Sequence, residues 1–559
     1  MIQTLRASLR NSAWAAPLRL LRLNLLARAG AHQSFGGLAS AAWRETLTRA
    51  SGGKRVLIAT NTGGHFAIAS IDRMLGVALS LRGAAVTHAL CDKVLPACQM
   101  CEVGLTPRLG PQDAPNPLLC SYCHAPAEAA FGELTLPVAR LGDALSAQDR
   151  DHAKAIARDT HFDTLSQLRV HNVVIGEHAI AGALRFFARA DLENEKTGEA
   201  VLRRYVEAAA LAAMAYARLI ERSEPEVLVA HHGIYVPQGL AVAVARAKGV
   251  RVATWNPAYR RHCFIFSHDD TYHHTLLNEP AETWRDLPLS EAQRARTLEY
   301  LHSRREGRED WIRFHRDPDY ALTADLSGLG LDPNKPLIVA LTNVFWDAQL
   351  HYPANAFPDQ ASWLVDTIGY FAGRPELQLA VRVHPAEVSG SPPSRQRAAD
   401  VIAPHFPQLP ANVRVIGPES ALSTYALAER ADAALIYATK TGVELSAIGI
   451  PVIVAGEAWV RGKGFTYDAA SPSDYREKLA ALPFGRRLDP ERQDLALKYA
   501  HHFFFRRMLE LPFVHPVNGP ARYRIAVNDL SELAPDRHPG LDAICAGILD
   551  WAPFTCEPI

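Results

Sequence analysis

Short apolar runs, each followed by a polar or glycine-rich turn and then a stretch with helical spacing, recur along most of the chain. Residues 56–59 (VLIA) predict a buried strand, Asn61-Thr62-Gly63-Gly64-His65 a turn, 67–81 a helix, and 85–90 the next strand. This is the opening βαβ of a nucleotide-type domain. The alternation returns with a strand at 227–230, a helix over 238–248 and a strand at 250–254. A second series starts at 337–341, continues with a strand at 377–383, and ends with strands at 434–437 and 452–455 around a helix over 443–448. Between the series, a stretch rich in Glu, Arg and Asp keeps helical periodicity up to Asp332-Pro333-Asn334-Lys335-Pro336. The pattern predicts an α/β protein of two Rossmann-like domains facing a central cleft. The expected divisions are a basic amphipathic segment 1–50, a first domain 51–280 with a Cys-rich insertion 91–124, a helical connection 281–335, a second domain 336–482 and a helical segment 483–559.

The polar residues cluster where strands end, and open α/β sheets bind ligands there. In the second domain the strand at 434–437 runs into Ala438-Thr439-Lys440-Thr441-Gly442, with Glu444 in the first turn of the following helix. A helix start favours anions. Gly449-Ile450-Pro451 stops that helix, and 456–466 forms a long loop after the next strand. Upstream, the strand at 377–383 carries Arg382 and runs into His384-Pro385-Ala386-Glu387. The proline keeps His384 extended, so its imidazole points out of the strand end, where it can donate to a phosphate oxygen. Glu387 could accept from a sugar hydroxyl. The plainer readings are that His384 caps a strand and Glu444 is a solvated helix residue.

The segments RVHPAE, TKTGVELSAIGIPVIVAGE and RGKGFTYD resemble those of bacterial capsule polysaccharide biosynthesis glycosyltransferases, a group with Kdo-transferase-like and sialyltransferase-like members and a GT-B fold. The resemblance spans roughly residues 335–480 and is loose in the amino-terminal half. It implies that His384 and Pro385 sit at the phosphate of a nucleotide-activated sugar, and that Glu444, Thr439 and Thr441 hold ribose or phosphate. Arg382, His384 and Lys440 would meet negative charge without a metal. The implied activity is transfer of a sugar, Kdo-like or sialic-acid-like from a CMP donor, onto a surface or capsular polysaccharide. The alternatives are a nucleotide-sugar epimerase or hydrolase, or a non-catalytic carbohydrate-binding component of a polysaccharide export assembly.

The family's catalytic carboxylate has no clear counterpart in the first domain. Asp92, just after the second strand, is preferred to Glu102 as a base for the acceptor hydroxyl, against the commoner reading as a turn former. His65, read as exposed at a strand end, is a second candidate base or else a helix cap. His231 and His232 point in opposite directions on an extended chain, so at most one would face the site. His262, Asp269, Asp270, His273 and His274 read as a hydrated loop.

Five of the eight cysteines fall within 91–123. Cys98-x2-Cys101 and Cys120-x2-Cys123 have the spacing of a four-thiolate zinc knuckle. Pro96, Pro107, Pro111, Pro115 and Pro117 predict a loop that such a staple would hold. Structural zinc is the favoured reading, with disulfides and an iron–sulfur cluster, Cys91 spare, as alternatives.

Composition narrows the partners. A chain of 559 residues is expected to form more than one domain. Lys plus Arg and Asp plus Glu are 59 each, so no global field draws nucleic acid. No segment has the apolar length of a membrane span. The first 30 residues carry Arg6, Arg10, Arg19, Arg22 and Arg28 and no acid, with Leu5, Leu9, Trp14, Leu18, Leu21, Leu25 and Leu26 at near-helical spacing. That segment suits either an anionic membrane surface or packing on the protein itself. The expected location is cytoplasmic, either soluble or peripheral on the inner face of the plasma membrane.

Overall fold

A computed structural model describes residues 16–28, 32–105, 116–306, 308–312, 327–348, 350, 352–518 and 522–557. Beside two small two-stranded sheets, Arg169–Val170 with Val173–Val174 and Val514–Pro516 with Tyr523–Ile525, the apolar runs form two large ones. The first has seven strands in the order Leu509–Glu510, Cys263–His268, Arg251–Pro257, Val227–His231, Arg55–Asn61, Ala85–Leu90, Val138–Arg140. Its pairings are parallel except those made by Cys263–His268 with each neighbour. The second has six strands, all parallel, in the order Val413–Ile416, Gln378–Arg382, Leu337–Leu341, Ala433–Ile436, Val452–Val454, Tyr467–Asp468. The α/β architecture of two Rossmann-like halves expected from the sequence is the one observed.

Both sheets are covered on both faces, and for that reason their strands read as unbroken apolar runs. Leu337 to Leu341 and Gln378 to Arg382 are buried at every position. Helix Phe66–Leu81 is buried along nearly its whole length, and the 26-residue helix Gly198–Ser223 packs alanine-rich turns against the first sheet's other layer. In the second sheet the strand order turns back at Leu337–Leu341, which lies between Gln378–Arg382 and Ala433–Ile436. The segments that leave these three strands are Thr342 onward, His384 onward and Ala438 onward. A reversal of strand order opens a crevice at the carboxyl ends, where ligands bind in such folds.

The chain returns to the first half after the second sheet. Helix Pro490–His501 packs on helix Thr441–Ala447, a wide turn at His502–Arg506 follows, and Leu509–Glu510 then becomes the edge strand of the first sheet. Helix Pro539–Leu549 lies against Phe66–Leu81. A β-carbon at Gly540 would come within 2.1 Å of the Glu510 carbonyl oxygen, so only glycine allows this approach.

One local expectation changes. Cys120 and Cys123 lie on helix Pro117–Gly132, not in a loop; Asn116 caps it by accepting from the Leu118 and Leu119 N–H groups, and Pro117 occupies its first turn. The intervening prolines Pro107, Pro111 and Pro115 lie outside the described residues. The basic amino-terminal segment is helical over Ala16–Arg28 and packs on Pro117–Gly132 through Leu20 and Asn24, whose amide donates to the Leu118 carbonyl at 3.0 Å. Its opposite side leaves Leu18, Leu21 and Leu25 50–64% exposed. No described helix is long and apolar enough to cross a membrane.

Candidate functional site

A cavity of about 540 Å³ lies between the two halves. Its second-half wall is the reversal crevice: Asn343, Trp346 and Asp347 follow one strand, His384 and Pro385 the next, and Thr439, Lys440 and Thr441 the third. Facing them are Arg185, Asn256, Tyr259 and His273 from the first half and Arg304 from the connecting helix Glu291–Glu306.

His384 is anchored at its backbone, where its N–H donates to Thr342 Oγ1 at 3.0 Å. Its ring Nδ1 accepts from the Ala386 N–H at 3.0 Å, so in the neutral ring the proton sits on Nε2. Burial lowers its pKa to about 4, helped by the positive charges of Lys440 and Arg382. At neutral pH the ring is an uncharged donor and not a cation.

Lys440 and Glu444 belong to a buried charge network. Lys440 Nζ donates to Glu444 Oε1 at 2.6 Å and lies 4.4 Å from the centre of the Tyr259 ring. Arg304 Nε reaches Glu444 Oε2 at 3.1 Å, the Tyr425 hydroxyl donates to the same oxygen, and Arg304 also pairs with Asp310. Burial alone would raise the Glu444 carboxyl; Arg304, Lys440 and the bonds from Lys440 and Tyr425 outweigh it and hold the pKa at about 2. Burial and the nearby Arg304 lower the Lys440 pKa against the pull of Glu444. Glu444 is thus neither a solvated helix residue nor part of the cavity wall. It ties the connecting helix and the Thr441–Ala447 helix together beneath Lys440. The Thr439 and Thr441 hydroxyls, 3.2 Å apart, do reach the cavity. Helix Thr441–Ala447 has only seven residues, so the cavity's polar character here comes from side chains more than from a helix dipole.

Three other candidates in this half are structural. Arg382, 1% exposed, donates to the carbonyls of Val383, Gly417, Ser420 and Leu422, so its cationic head is consumed by a buried turn. Glu387, 0% exposed, accepts from the Ala398 N–H at 3.0 Å and is absent from the cavity wall; burial raises its pKa to about 7. Gly442 faces Ile436 and Val460, where a β-carbon would stand 2.7 Å from Ile436 Cδ1.

The candidate bases of the first half stand away from the cavity. Asp92 accepts from the Gly142 N–H at 2.7 Å, beside the Val138–Arg140 edge strand, and serves as a turn residue. His65 is half-buried at the start of helix Phe66–Leu81, not exposed, and makes no side-chain cap bond; burial, with Arg185, His231 and Arg522, lowers its pKa to about 3. His231 and His232 are both buried. His231 pairs with Asn256 Oδ1 at 2.9 Å, and His232 bonds Gln99 Oε1 at 2.8 Å. His231 therefore reaches the cavity only through Asn256. Residues 272–278, expected as a hydrated loop, form a helix capped by Thr271.

All eight cysteines are free thiols. Cys91, Cys98, Cys101, Cys120 and Cys123 border one small pocket beside Thr62. Among the described residues no group of three or more His, Cys, Asp or Glu side chains is arranged to hold a metal ion. The five thiols gather at one place in the first half.

Several cavity residues carry no local sequence signal. Arg185 sits mid-helix in Gly176–Phe187, Arg304 lies in the charged connection, and Tyr425 starts a short helix. Glu457, in the glycine-rich loop, accepts from the Ala354 N–H at 2.6 Å and turns its other oxygen toward His274 Nε2 at 3.7 Å. Only the placement of Tyr259 after the Asn256-Pro257 strand end could have marked it.

No protein-family profile matches this chain, and no curated protein sequence does. Among solved structures, KpsC of Thermosulfurimonas dismutans, a beta Kdo 2,4 transferase, is similar over 56% of this chain and 87% of its own, at 13% identity and a TM-score of 0.33. UDP-GlcNAc 2-epimerase from Neisseria meningitidis is similar over 81% and 98%, at 9% identity and a TM-score of 0.24. The calicheamicin glycosyltransferase CalG4 is similar over 80% and 94%, at 12% identity and a TM-score of 0.24. Scores this low carry no argument about activity, which has to be drawn from the cavity.

Proposed function

We propose that this protein is a glycosyltransferase that takes a nucleotide-activated sugar in the cavity between its halves and passes the sugar to a glycan hydroxyl. The observation that carries the reading is the convergence of an uncharged imidazole donor, two threonine hydroxyls and a lysine at a strand-order reversal, opposite a second wall of different chemistry. His384, Thr439, Thr441 and Lys440 would receive the donor phosphate, and Arg185, Asn256 and Tyr259 the acceptor side. Transfer forms a bond between the acceptor oxygen and the anomeric carbon and breaks the bond from that carbon to the phosphate, whose oxygen leaves with the electron pair. The acceptor proton goes to a carboxylate on the cavity wall; Asp347 and Glu457 stand there, whereas Asp92 and His65 do not. A site between two domains also keeps water from an activated sugar.

The resemblance of the three second-half segments supports a Kdo-like or sialic-acid-like sugar on a CMP donor, and a surface polysaccharide as acceptor. The exposed Leu18, Leu21 and Leu25, with Arg22 on the same helix, support a peripheral seat on an anionic membrane. A structural zinc would require the Cys98–Cys101 turn and Cys120 and Cys123 on helix Pro117–Gly132 to close on it, and metal analysis of the purified protein tests that. Thermal-shift measurements with CMP, UDP and GDP test the main reading. CMP should raise the melting temperature in the wild type and raise it less in His384→Ala at the same concentration. A protein that none of the three stabilises and that turns over no sugar nucleotide would refute it.

A further inference from the structure

Helix Tyr272–Asn278, which follows strand Cys263–His268 in the first half, is gripped by the glycine-rich loop 456–466 of the second half. Lys463, 3% exposed, donates from Nζ to the carbonyls of Leu277 at 3.0 Å and Glu279 at 3.3 Å. The His273 and Trp459 rings stand 5.6 Å apart. The same loop carries Glu457, whose N–H donates to Asn355 Oδ1 at 2.8 Å and whose Oε1 accepts from the Ala354 N–H at 2.6 Å. Asn355, Glu457 and Trp459 all line the cavity, so this contact between the halves shapes one of its walls.

His274 stands between two carboxylates at the contact. Its Nδ1 lies 3.3 Å from Asp270 Oδ1 on its own segment, and its Nε2 lies 3.7 Å from Glu457 Oε2 across the seam. His274 Nε2 and Glu457 Oε2 are both sealed from water, and among the described residues neither has a hydrogen-bond partner. Two such atoms facing each other just beyond hydrogen-bonding range are costly to keep apart, and a small closing movement joins them. Whether that movement is favourable depends on the ring's protons. A neutral ring that donates to Asp270 from Nδ1 turns a lone pair at Nε2 toward the Glu457 oxygen; only the imidazolium has an N–H for each carboxylate.

The surroundings favour the imidazolium. Burial opposes the charged ring, but its bond to Asp270 and the charges of Asp270 and Glu457 outweigh burial and the positive Arg246, and the His274 pKa is raised above the ordinary 6.5. Arg246 itself pairs with Asp270 at 3.3 Å. The other titratable neighbours keep one state near neutrality. Burial, helped by the charge of His274, lowers the His273 pKa to about 4, and burial raises that of Tyr352, whose ring stands edge-on to His274 at 5.1 Å.

We propose that His274, when protonated, clasps Glu457 and with it the glycine-rich loop to the first half, so that this cavity wall is drawn in at acid pH and released as pH rises. The clasp is complete below the ring's ordinary pKa and is lost as pH climbs through the higher folded value. His274 is absent from the cavity wall and acts through Glu457, as a positioning residue. The consequence for turnover rests on the glycosyl-transfer reading; the clasp does not.

Amide hydrogen exchange on the full-length protein tests the clasp, read over residues 352–357 and 456–466 from pH 5.5 to pH 8.5 as protection factors, which remove the intrinsic pH dependence of exchange. At pH 5.5 these segments should be protected about fivefold or more better in the wild type than in His274→Gln, and at pH 8.5 equally in both. Asp270→Asn, which removes one of the charges that hold the proton, should move the midpoint of the change about one unit lower. Equal protection in wild type and His274→Gln at both ends of the range, or a midpoint that Asp270→Asn leaves in place, overturns the proposal. Where His274→Gln does not give a wild-type melting curve at pH 8.5, Glu457→Gln, which keeps an oxygen for the Ala354 N–H, decides by the same comparison. Turnover at low donor concentration should fall in the wild type through the same midpoint, a step that His274→Gln should lack. An unchanged step in that variant overturns the effect on the cavity even where protection behaves as expected. Absence of turnover at every pH counts against glycosyl transfer and leaves hydrogen exchange to decide the clasp.

Discussion

The Tyr235 hydroxyl, on the loop after Val227–His231 in the first half, donates to Asp347 Oδ1 at 2.6 Å in the second half. The Ala348 N–H donates to the same phenol oxygen at 2.8 Å, and the Arg185 guanidinium lies 5.5 Å from the ring centre. Two loops from strand ends of different sheets are thereby latched across the cavity. The latch fixes the Asp347 carboxylate on the cavity wall.

Tyr235→Phe should loosen that latch without removing the buried ring. One neutral-to-charged hydrogen bond is worth roughly 1.5–3 kcal/mol when lost, so the KM for the sugar donor should rise by about tenfold or more while the fold persists. Steady-state kinetics beside a melting curve check this. A KM equal to the wild type's would mean the two loops hold their places by packing alone.

The state of His384 makes a pH prediction. Its folded pKa is about 4, below the ordinary 6.5, so the ring is already neutral at pH 5 and stays so as pH rises. Nucleotide affinity should therefore be flat between pH 5.5 and 8 so far as His384 is concerned, and His384→Ala should weaken it by about tenfold at every pH in that window. Calorimetric titration across the range is the measurement. A wild-type affinity that collapses between pH 6 and 7.5, absent in the variant, would show that His384 binds as an imidazolium.

Glu444 predicts a stability limb at acid pH. Its folded pKa of about 2 lies below the ordinary 4.5, so its stabilising contribution is complete above pH 4.5 and is lost as pH falls toward 2. Glu444→Gln leaves Arg304 and Lys440 buried without their shared partner, at a cost of about 3–5 kcal/mol near neutrality. Urea unfolding at pH 7 and pH 3 should show a large gap between variant and wild type that narrows in acid. A pH-independent gap would mean the network is held by geometry and not by charge.

The two ends of the argument differ in how much the chain alone reveals. The strand ends at His384 and at Thr439-Lys440-Thr441 stand out because an unbroken apolar run followed by polar residues is a local signal, and both segments do reach the cavity. Arg382, Glu387 and Gly442 sit within a few residues of them and looked equally functional. The side chains of Arg382 and Glu387 point into packed interior instead, and a β-carbon at Gly442 would meet Ile436 there, a matter of direction that periodicity does not carry. His65 and Asp92 also follow strands, yet the Gly142 turn and the first turn of Phe66–Leu81 claim them. Arg185 and Arg304 had no motif to mark them, since each lies within a helix whose pattern is ordinary.

The order of apolar and polar residues was enough to mark two strand–helix series and the strand-end loops at which ligands can bind, because hydrophobic burial and backbone pairing act over short spans of chain. It left the strands Val138–Arg140, Cys263–His268, Val413–Ile416, Tyr467–Asp468 and Leu509–Glu510 unmarked. Which of those loops share a cavity, and which charges there cancel, was decided by folding: strand order brings Thr342, His384 and Ala438 to one edge, and the pairing of Arg304 with Glu444 joins segments 140 positions apart. Long-range electrostatics and side-chain direction exist only once the sheets are stacked.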